Sequence, residues 1–499
     1  MIATTITPPK ALGQKSVKFR FEQFIASERF LPILACFVLF FHALGYDMLG
    51  IAFMMGYLML VFLTDTPLRA AIPGLCMLIM VAGLRQGFYR RPYANPDYYL
   101  DNIAFLITIA SMLIASIAFG ITKRYLKENK NNKNKTFAKN KFTTSAATIG
   151  LVAVSTSFIL GGIFSEEFSA LTILLGLLFA GMFLAFFAFG KITTKKIDFN
   201  YLAKVFITIS LVVSIQLVRV YILRDLFALG RYEGIVAKNN MSVGWAHSNS
   251  IGMVIALGIP FSGYYVATEK NPLPAIAILL LQNFAVLLSL SRTMVFIAAS
   301  FTLFIFIYAL FKQKKKTKLI LAVTLLAIIA TFCVVFIFLF DSIRINFNFF
   351  FQAGFSDTYR MQFYYLRAWN VFRQNPLFGA GAAYGTNPDR PDRWIFFAHN
   401  SILQFLMWSG IVGLFAFLLH IVLLIKSTFK KGTEKRMFLF FVALFVLGNS
   451  MLEVFLFMPP TLIFYMIIIA AIDNDALENG GFGRVEIDLD RELKKVDLF

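Results

Sequence analysis

The chain has 499 residues, 59% of them hydrophobic and only 15% charged, with 59 Phe. Soluble domains run near half apolar and a quarter charged, so this composition excludes an ordinary soluble enzyme and describes a polytopic membrane protein. The net charge of +20 does not signal nucleic acid, because the basic residues are spread through short loops between apolar runs and form no single patch.

Lys10, Lys15, Lys18 and Arg20 precede the first apolar run, and no small-residue cleavage site follows it. Residues 1–28 are therefore expected to be a cytoplasmic segment ahead of an uncleaved first span. Runs long enough to cross a bilayer predict helices over 31–46, 48–64, 69–84, 101–120, 144–163, 169–190, 201–223, 250–267, 272–289, 294–311, 319–340, 400–425, 437–454 and 461–472. The expected fold is all-α, with about fourteen (roughly twelve to fourteen) transmembrane helices over 29–472. Cys36, Cys76 and Cys333 lie far apart in apolar runs and offer neither a disulfide framework nor zinc spacing.

Lys-rich loops fall at 121–143, 191–196, 312–318 and 426–436. With an inside N-terminus, alternation places all four in the cytoplasm, together with a tail at 473–499. The Asn/Lys run at 128–141 is expected to be a flexible linker. The opposite face receives 85–99, the Glu166-Glu167 turn, 224–249, 290–293 and the large extracytoplasmic loop 341–399. Its basic residues are almost all arginine: Arg85, Arg90, Arg91, Arg224, Arg231, Arg292, Arg344, Arg360, Arg367, Arg373, Arg390 and Arg393, with Lys238 the exception. Lysine would serve for topology; the planar guanidinium adds bidentate binding of phosphate. Part of this bias is expected from interfacial snorkelling, and the remainder from an outward site for a phosphate-bearing ligand.

Within 341–399, Tyr359 to Arg373 predicts an interfacial helix. Its apolar face is Met361, Tyr365, Ala368, Trp369 and Phe372, and Arg360 and Arg367 share another face. Pro376 to Gly385 is glycine-rich but follows no strand, so it reads as a tight turn approaching another element and not as a dinucleotide fingerprint. His399-Asn400 then opens a span, and nine residues later comes Gly410-Ile411-Val412-Gly413, small residues that permit close helix packing. A second pair, His247 and Asn249, sits before the span at 250–267. Arg292 occupies the short turn Ser291-Arg292-Thr293, and Arg219 lies inside the outer end of a span. His42 and His420, without polar neighbours in sequence, read as structural.

The run from about 205 to 425 resembles the O-antigen ligase and polysaccharide polymerase family of bacterial membrane glycosyltransferases. The likeness rests on the Arg and Trp helix from Arg360 to Trp369, Asn375-Pro376-Leu377-Phe378-Gly379-Ala380-Gly381, the His399-Asn400 to Gly410/Gly413 spacing, and Ser291-Arg292-Thr293. It implies an undecaprenyl-diphosphate-linked oligosaccharide as substrate, membrane lipids as surroundings, and a chain-length regulator as a candidate partner. It also implies no cofactor and no metal, since the activated bond already sits on the lipid. In that setting His399 is expected to be the general base, a role suited to a side chain that titrates near neutrality. Arg292 and Arg360 would neutralise charge on the departing diphosphate, and Arg367, Asn400, His247, Asn249 and Arg219 would bind substrate. A ligase acting on a lipid core is the neighbouring alternative. A flippase is the distant one, disfavoured because no internal repeat appears and charges gather at one face.

Overall fold

The computed structural model describes residues 17–83, 101–131, 141–165, 169–195, 197–224, 241–314, 317–327, 360–382, 396–479 and 485–488. Helices follow the apolar runs. The first half holds α1 (Val17–Ile25), α2 (Leu31–Leu44), α3 (Asp47–Leu63), α4 (Ala71–Leu78), α5 (Ile103–Asn131), α6 (Ala146–Ile163), α7 (Ala170–Thr193) and α8 (Phe199–Leu223). The second half holds α9 (Ser248–Ala256), α10 (Ile259–Thr268), α11 (Leu273–Leu288), α12 (Arg292–Lys312), α13 (Thr317–Ala327), α14 (Leu366–Gln374), α15 (Ser401–Phe429), α16 (Glu434–Ser450) and α17 (Pro459–Glu478). One departure from an all-helical chain is a short antiparallel pair, β1 (Lys141–Thr144) with β2 (Val485–Asp488).

Among the described residues, 8 spans are long and apolar enough to cross a membrane, or 9 if α1 and α2, bent by 68°, count as one. Shorter apolar helices occupy several of the other expected segments, among them α3, α11 and α13. The segment expected at 250–267 is one span, Ser248–Thr268, in which α9 and α10 join at Leu257-Gly258 with both residues in helical backbone; a Cβ on Gly258 would sit 2.4 Å from the Gln282 amide nitrogen. The last helix continues to Glu478, past the expected boundary at 472.

Helix α17 is the central staff. Every residue from Thr461 to Asp473 is buried, as a helix apolar on all sides requires. α6, α7 and α15 pack together beside it, and α8 to α12 with α16 form the neighbouring bundle. α5 is peripheral, packing chiefly on α3.

Charges stitch one end of the bundle. Lys191 pairs with Asp473 at 2.6 Å, Arg436 with Asp475 at 2.7 Å, and Lys312 with Glu434. Gln313 donates to the Glu269 carbonyl, and Lys204 pairs with Glu28. Asp65 lies 3.6 Å from Lys123 and 3.5 Å from Lys127. All four lysine-rich loops thus contribute residues to this charged lattice. Lysines close the C-terminal turns of α7 and α12, where the helix dipole favours them.

Candidate active site

Two helix starts and one interhelical turn build the centre at the other end. At the first start, Gly244 turns the chain at φ +96°, where a Cβ would strike the Ala82 carbonyl at 2.5 Å. Trp245 donates to Gln216 at 2.9 Å, and His247 closes a bridge to Ser242 before α9 begins. Ser248 Oγ then donates to the Ser289 carbonyl at 2.7 Å, tying this start to the turn that carries Arg292. Asn249 occupies the first turn of α9.

At the second start, Asn400 caps α15. Its Oδ1 accepts from the Leu403 amide at 3.1 Å, and its Nδ2 donates to the Met451 carbonyl at 2.8 Å. An asparagine at this position satisfies a helix-end amide that otherwise has no partner. The same side chain fastens the α16–α17 turn. Gln404 reaches back to Ala398 and Phe396 and fixes the approach. His399, immediately before the cap, is left-handed at φ 51°, an uncommon conformation for a non-glycine residue and one that surrounding contacts must hold. The edge-on ring of Tyr364, 4.6 Å away, is one such contact.

Between the two starts lies Glu453, in the turn after α16. Its Oε1 accepts from Asn249 Nδ2 at 2.6 Å and from Arg360 Nη2 at 2.9 Å, and its Oε2 accepts from His399 Nδ1 at 2.8 Å. Arg360 Nη1 also donates to the Leu452 carbonyl at 2.9 Å. Burial pushes the Glu453 carboxyl up. The His399 hydrogen bond and the positive charge of His399, Arg360 and His247 outweigh it, holding the group down at about 2. An ionised carboxylate only accepts, so His399 Nδ1 must donate to it. The neutral imidazole therefore carries its lone pair on Nε2. His399 and Glu453 line a cavity of about 60 Å³ with Trp245, His247, Phe455 and Thr461.

Arg360 reaches Glu453 because the helix before Gln374 starts abnormally. Residues Arg360–Tyr365 form a π-turn that continues into α14. The extra residue per turn changes the phase and corrects the expected apolar face. Ala368 and Val371 face the protein, whereas Met361, Leu366 and Trp369 are exposed. Arg360 and Arg367 point inward, the latter stacking its guanidinium 4.7 Å over Phe396.

The glycine-rich turn does approach another element, through a break in α15. Gly410, at φ 62° and ψ −156°, interrupts the helix, and the freed groups pair with the turn. Ile411 donates to the Pro376 carbonyl at 2.9 Å, Ala380 to Met407 at 2.8 Å and Gly381 to Trp408 at 3.1 Å. A Cβ on Gly410 would lie 2.3 Å from the Leu377 oxygen, and one on Gly379 2.5 Å from the Ser409 nitrogen. Gly410 therefore admits a loop into the helix backbone; the expectation of simple helix packing is corrected there.

The structure gathers Arg360, His399, His247 and Asn249 around one carboxylate. Asn400 supports that carboxylate's turn, and Arg292 lies on the turn bound to Ser248. Arg367 stands one helical stretch away. Arg219 lines a separate, larger cavity of about 420 Å³ with Arg224, Gly45 and Gly83, and donates to the Ala43 carbonyl at 2.8 Å. His42 and His420 do have polar partners, the Val243 carbonyl at 2.6 Å and the Tyr465 hydroxyl at 3.0 Å, and both act as buried struts. Glu453 is the residue that sequence reasoning missed; its only signal was an acid at the end of an apolar run. Arg85, Arg90, Arg91, Arg231, Lys238, Arg344, Arg390, Arg393 and the Glu166-Glu167 turn lie outside the described residues.

No curated protein matches the chain. Residues 275–418 match a family model described as Wzy_C, O-antigen ligase, a stretch that contains Arg292, Arg360, Arg367, His399 and Asn400 and leaves Asn249 and Glu453 outside. Over that segment the chain is similar to the O-antigen ligase family of membrane enzymes.

Proposed function

We propose that the protein polymerises undecaprenyl-diphosphate-linked oligosaccharide repeat units, joining the growing glycan to the next unit at the outer face of the bacterial cytoplasmic membrane. The observation that carries this reading is the 2.8 Å contact of His399 with a carboxylate that Arg360 also touches. It joins a proton acceptor to an anion binder at the end of the bundle away from the lysine loops.

In this reading the donor diphosphate lies among Arg292 and Arg360, with Arg367 and the Arg219 cavity receiving more of the lipid headgroup. A hydroxyl of the incoming repeat unit points at His399 Nε2. The hydroxyl oxygen attacks the donor's anomeric carbon, the bond from that carbon to the diphosphate oxygen breaks, and the hydroxyl proton moves to Nε2. Arginine forks suit the departing charge because they meet it in bidentate fashion. His247, Asn249 and Asn400 border the acceptor side. The bond energy comes from the donor, so the reaction needs neither a nucleotide sugar nor a metal. The reading also takes the lysine-rich end, with both termini, as cytoplasmic, and counts the shorter apolar helices as further membrane segments, towards about fourteen.

Reconstitution with a synthetic lipid-diphosphate repeat unit tests the proposal. A ladder of glycans formed without added energy supports polymerisation. A single transfer to an added lipid core would select a ligase, and translocation without new bonds a flippase.

A further inference from the structure

We propose that Glu453 is a positioning residue for the reaction: it fixes the His399 tautomer and ring so that Nε2 faces the acceptor hydroxyl, and it does so without touching substrate. This inference rests on His399 being the base. The geometry carries it. Glu453 Oε2 takes the Nδ1 proton at 2.8 Å, while Oε1 is held by Asn249 at 2.6 Å and by Arg360 at 2.9 Å. Three donors from three separate elements leave the carboxylate a single orientation. The Glu453 side chain is only 9% exposed, whereas that of His399 is 31% exposed, so of the two groups that line the cavity the imidazole is the more open to an incoming hydroxyl. The left-handed backbone at His399 serves the same end, aiming the ring from the helix cap across to the α16–α17 turn.

The charged or titratable groups facing Glu453 are Arg360 from the stretch leading into α14, His399 from the start of α15 and His247 from the start of α9. With Arg360 shared between the carboxylate and the protein backbone, Glu453 is the anion that stabilises the imidazolium formed when the proton arrives. Removing its charge should lower the rate and also change the pH at which the imidazole stops accepting protons. A residue that merely held the fold would do only the first.

The test uses the full chain in liposomes with the synthetic lipid-diphosphate repeat unit. Glu453→Gln should lower kcat by on the order of a hundredfold, with donor KM within about twofold, since orienting partners of histidine have effects of this size. The acidic limb of its pH–rate profile should move to lower pH, because the imidazole loses the carboxylate that favours its charged form. Glu453→Asp should recover about a tenth of the wild-type rate and return the limb toward its original position. If Glu453→Gln does not accumulate, Glu453→Ala takes its place, and the pH midpoint for diethyl pyrocarbonate labelling of His399 in that variant against wild type gives the same readout. An unmoved limb, or a loss confined to KM, would overturn the inference. His399→Gln separates the two levels. If it is inactive while the Glu453→Gln limb stays put, only the positioning role fails; if it keeps its rate, the functional reading fails as well.

Discussion

A carboxylate placed out of water beside three donors is tolerable only while all three remain. That makes Arg360 a double-duty side chain, bonded at once to Glu453 and to the Leu452 carbonyl. Lysine at this position keeps a charge but offers one point where the guanidinium offers a fork. Arg360→Lys is expected to lower kcat/KM by about tenfold to a hundredfold in the reconstituted assay, and unchanged kinetics would remove Arg360 from the site. Protonation gives a second prediction. Glu453 is held near 2, below its ordinary value of 4.5, so the folded state binds its proton less readily than the unfolded state. The stability it contributes is present above about pH 4.5 and drains away as pH falls toward about 2. Melting curves in detergent should therefore fall more steeply with acid for the wild type than for Glu453→Gln. The sequence pointed to His399 and Asn249 because each sits at a polar-to-apolar junction, and to Arg360 because it shares a face of one helix with Arg367. Glu453 gave no such pattern: it follows His399 by a long stretch of membrane helix, and only folding reveals the meeting.

At the level of elements, phase and interruption decide what the sequence shows. Apolar runs announced the helices, since a bilayer demands their length. The π-turn at Arg360–Tyr365 was hidden, because the helical pattern assumes a constant 3.6 residues per turn and one wide turn rotates every later side chain. The break at Gly410 was hidden for a related reason, as a glycine in an apolar helix usually signals packing. Its geometry makes a sharp prediction. Gly410→Ala must place a methyl 2.3 Å from the Leu377 oxygen at φ 62°, and should cost on the order of 3 kcal/mol or more, seen as a marked drop in melting temperature. Gly56→Ala is the control. That helical glycine has nothing within 4 Å of an added Cβ, and the substitution should be neutral or stabilising by up to about 1 kcal/mol.

For the whole molecule, the two ends of the bundle have different chemistry: a lattice of lysine pairs at one, an arginine, histidine and glutamate centre at the other. Single cysteines at 292, 360 and 399, introduced after replacing Cys36, Cys76 and Cys333, should react with an impermeant maleimide from the outside of intact cells. Cysteines at 195 and 431 should react only after the membrane is opened. Labelling of 292, 360 and 399 from opposite compartments would dismantle the site. The sidedness expected from the sequence, which this labelling tests, rests on charge in short loops governing insertion. The convergence of α9, α15 and the α16–α17 turn was not, because residues 249, 399 and 453 are joined only by packing.

The plug at Pro376–Gly381 has a consequence for how the protein is made. It precedes α15 in the chain, so it leaves the ribosome before the helix it opens. α15 cannot enter the bilayer alone in its broken form, since the carbonyls and amides around Gly410 would face hydrocarbon with nothing to bond. Either the loop is already waiting against α6 when the helix arrives, or the helix inserts unbroken and must later be prised apart. The 2.7 Å bond from Ser165 at the end of α6 to the Ala380 carbonyl favours the first order: an earlier helix cradles the loop, and the later one folds around it.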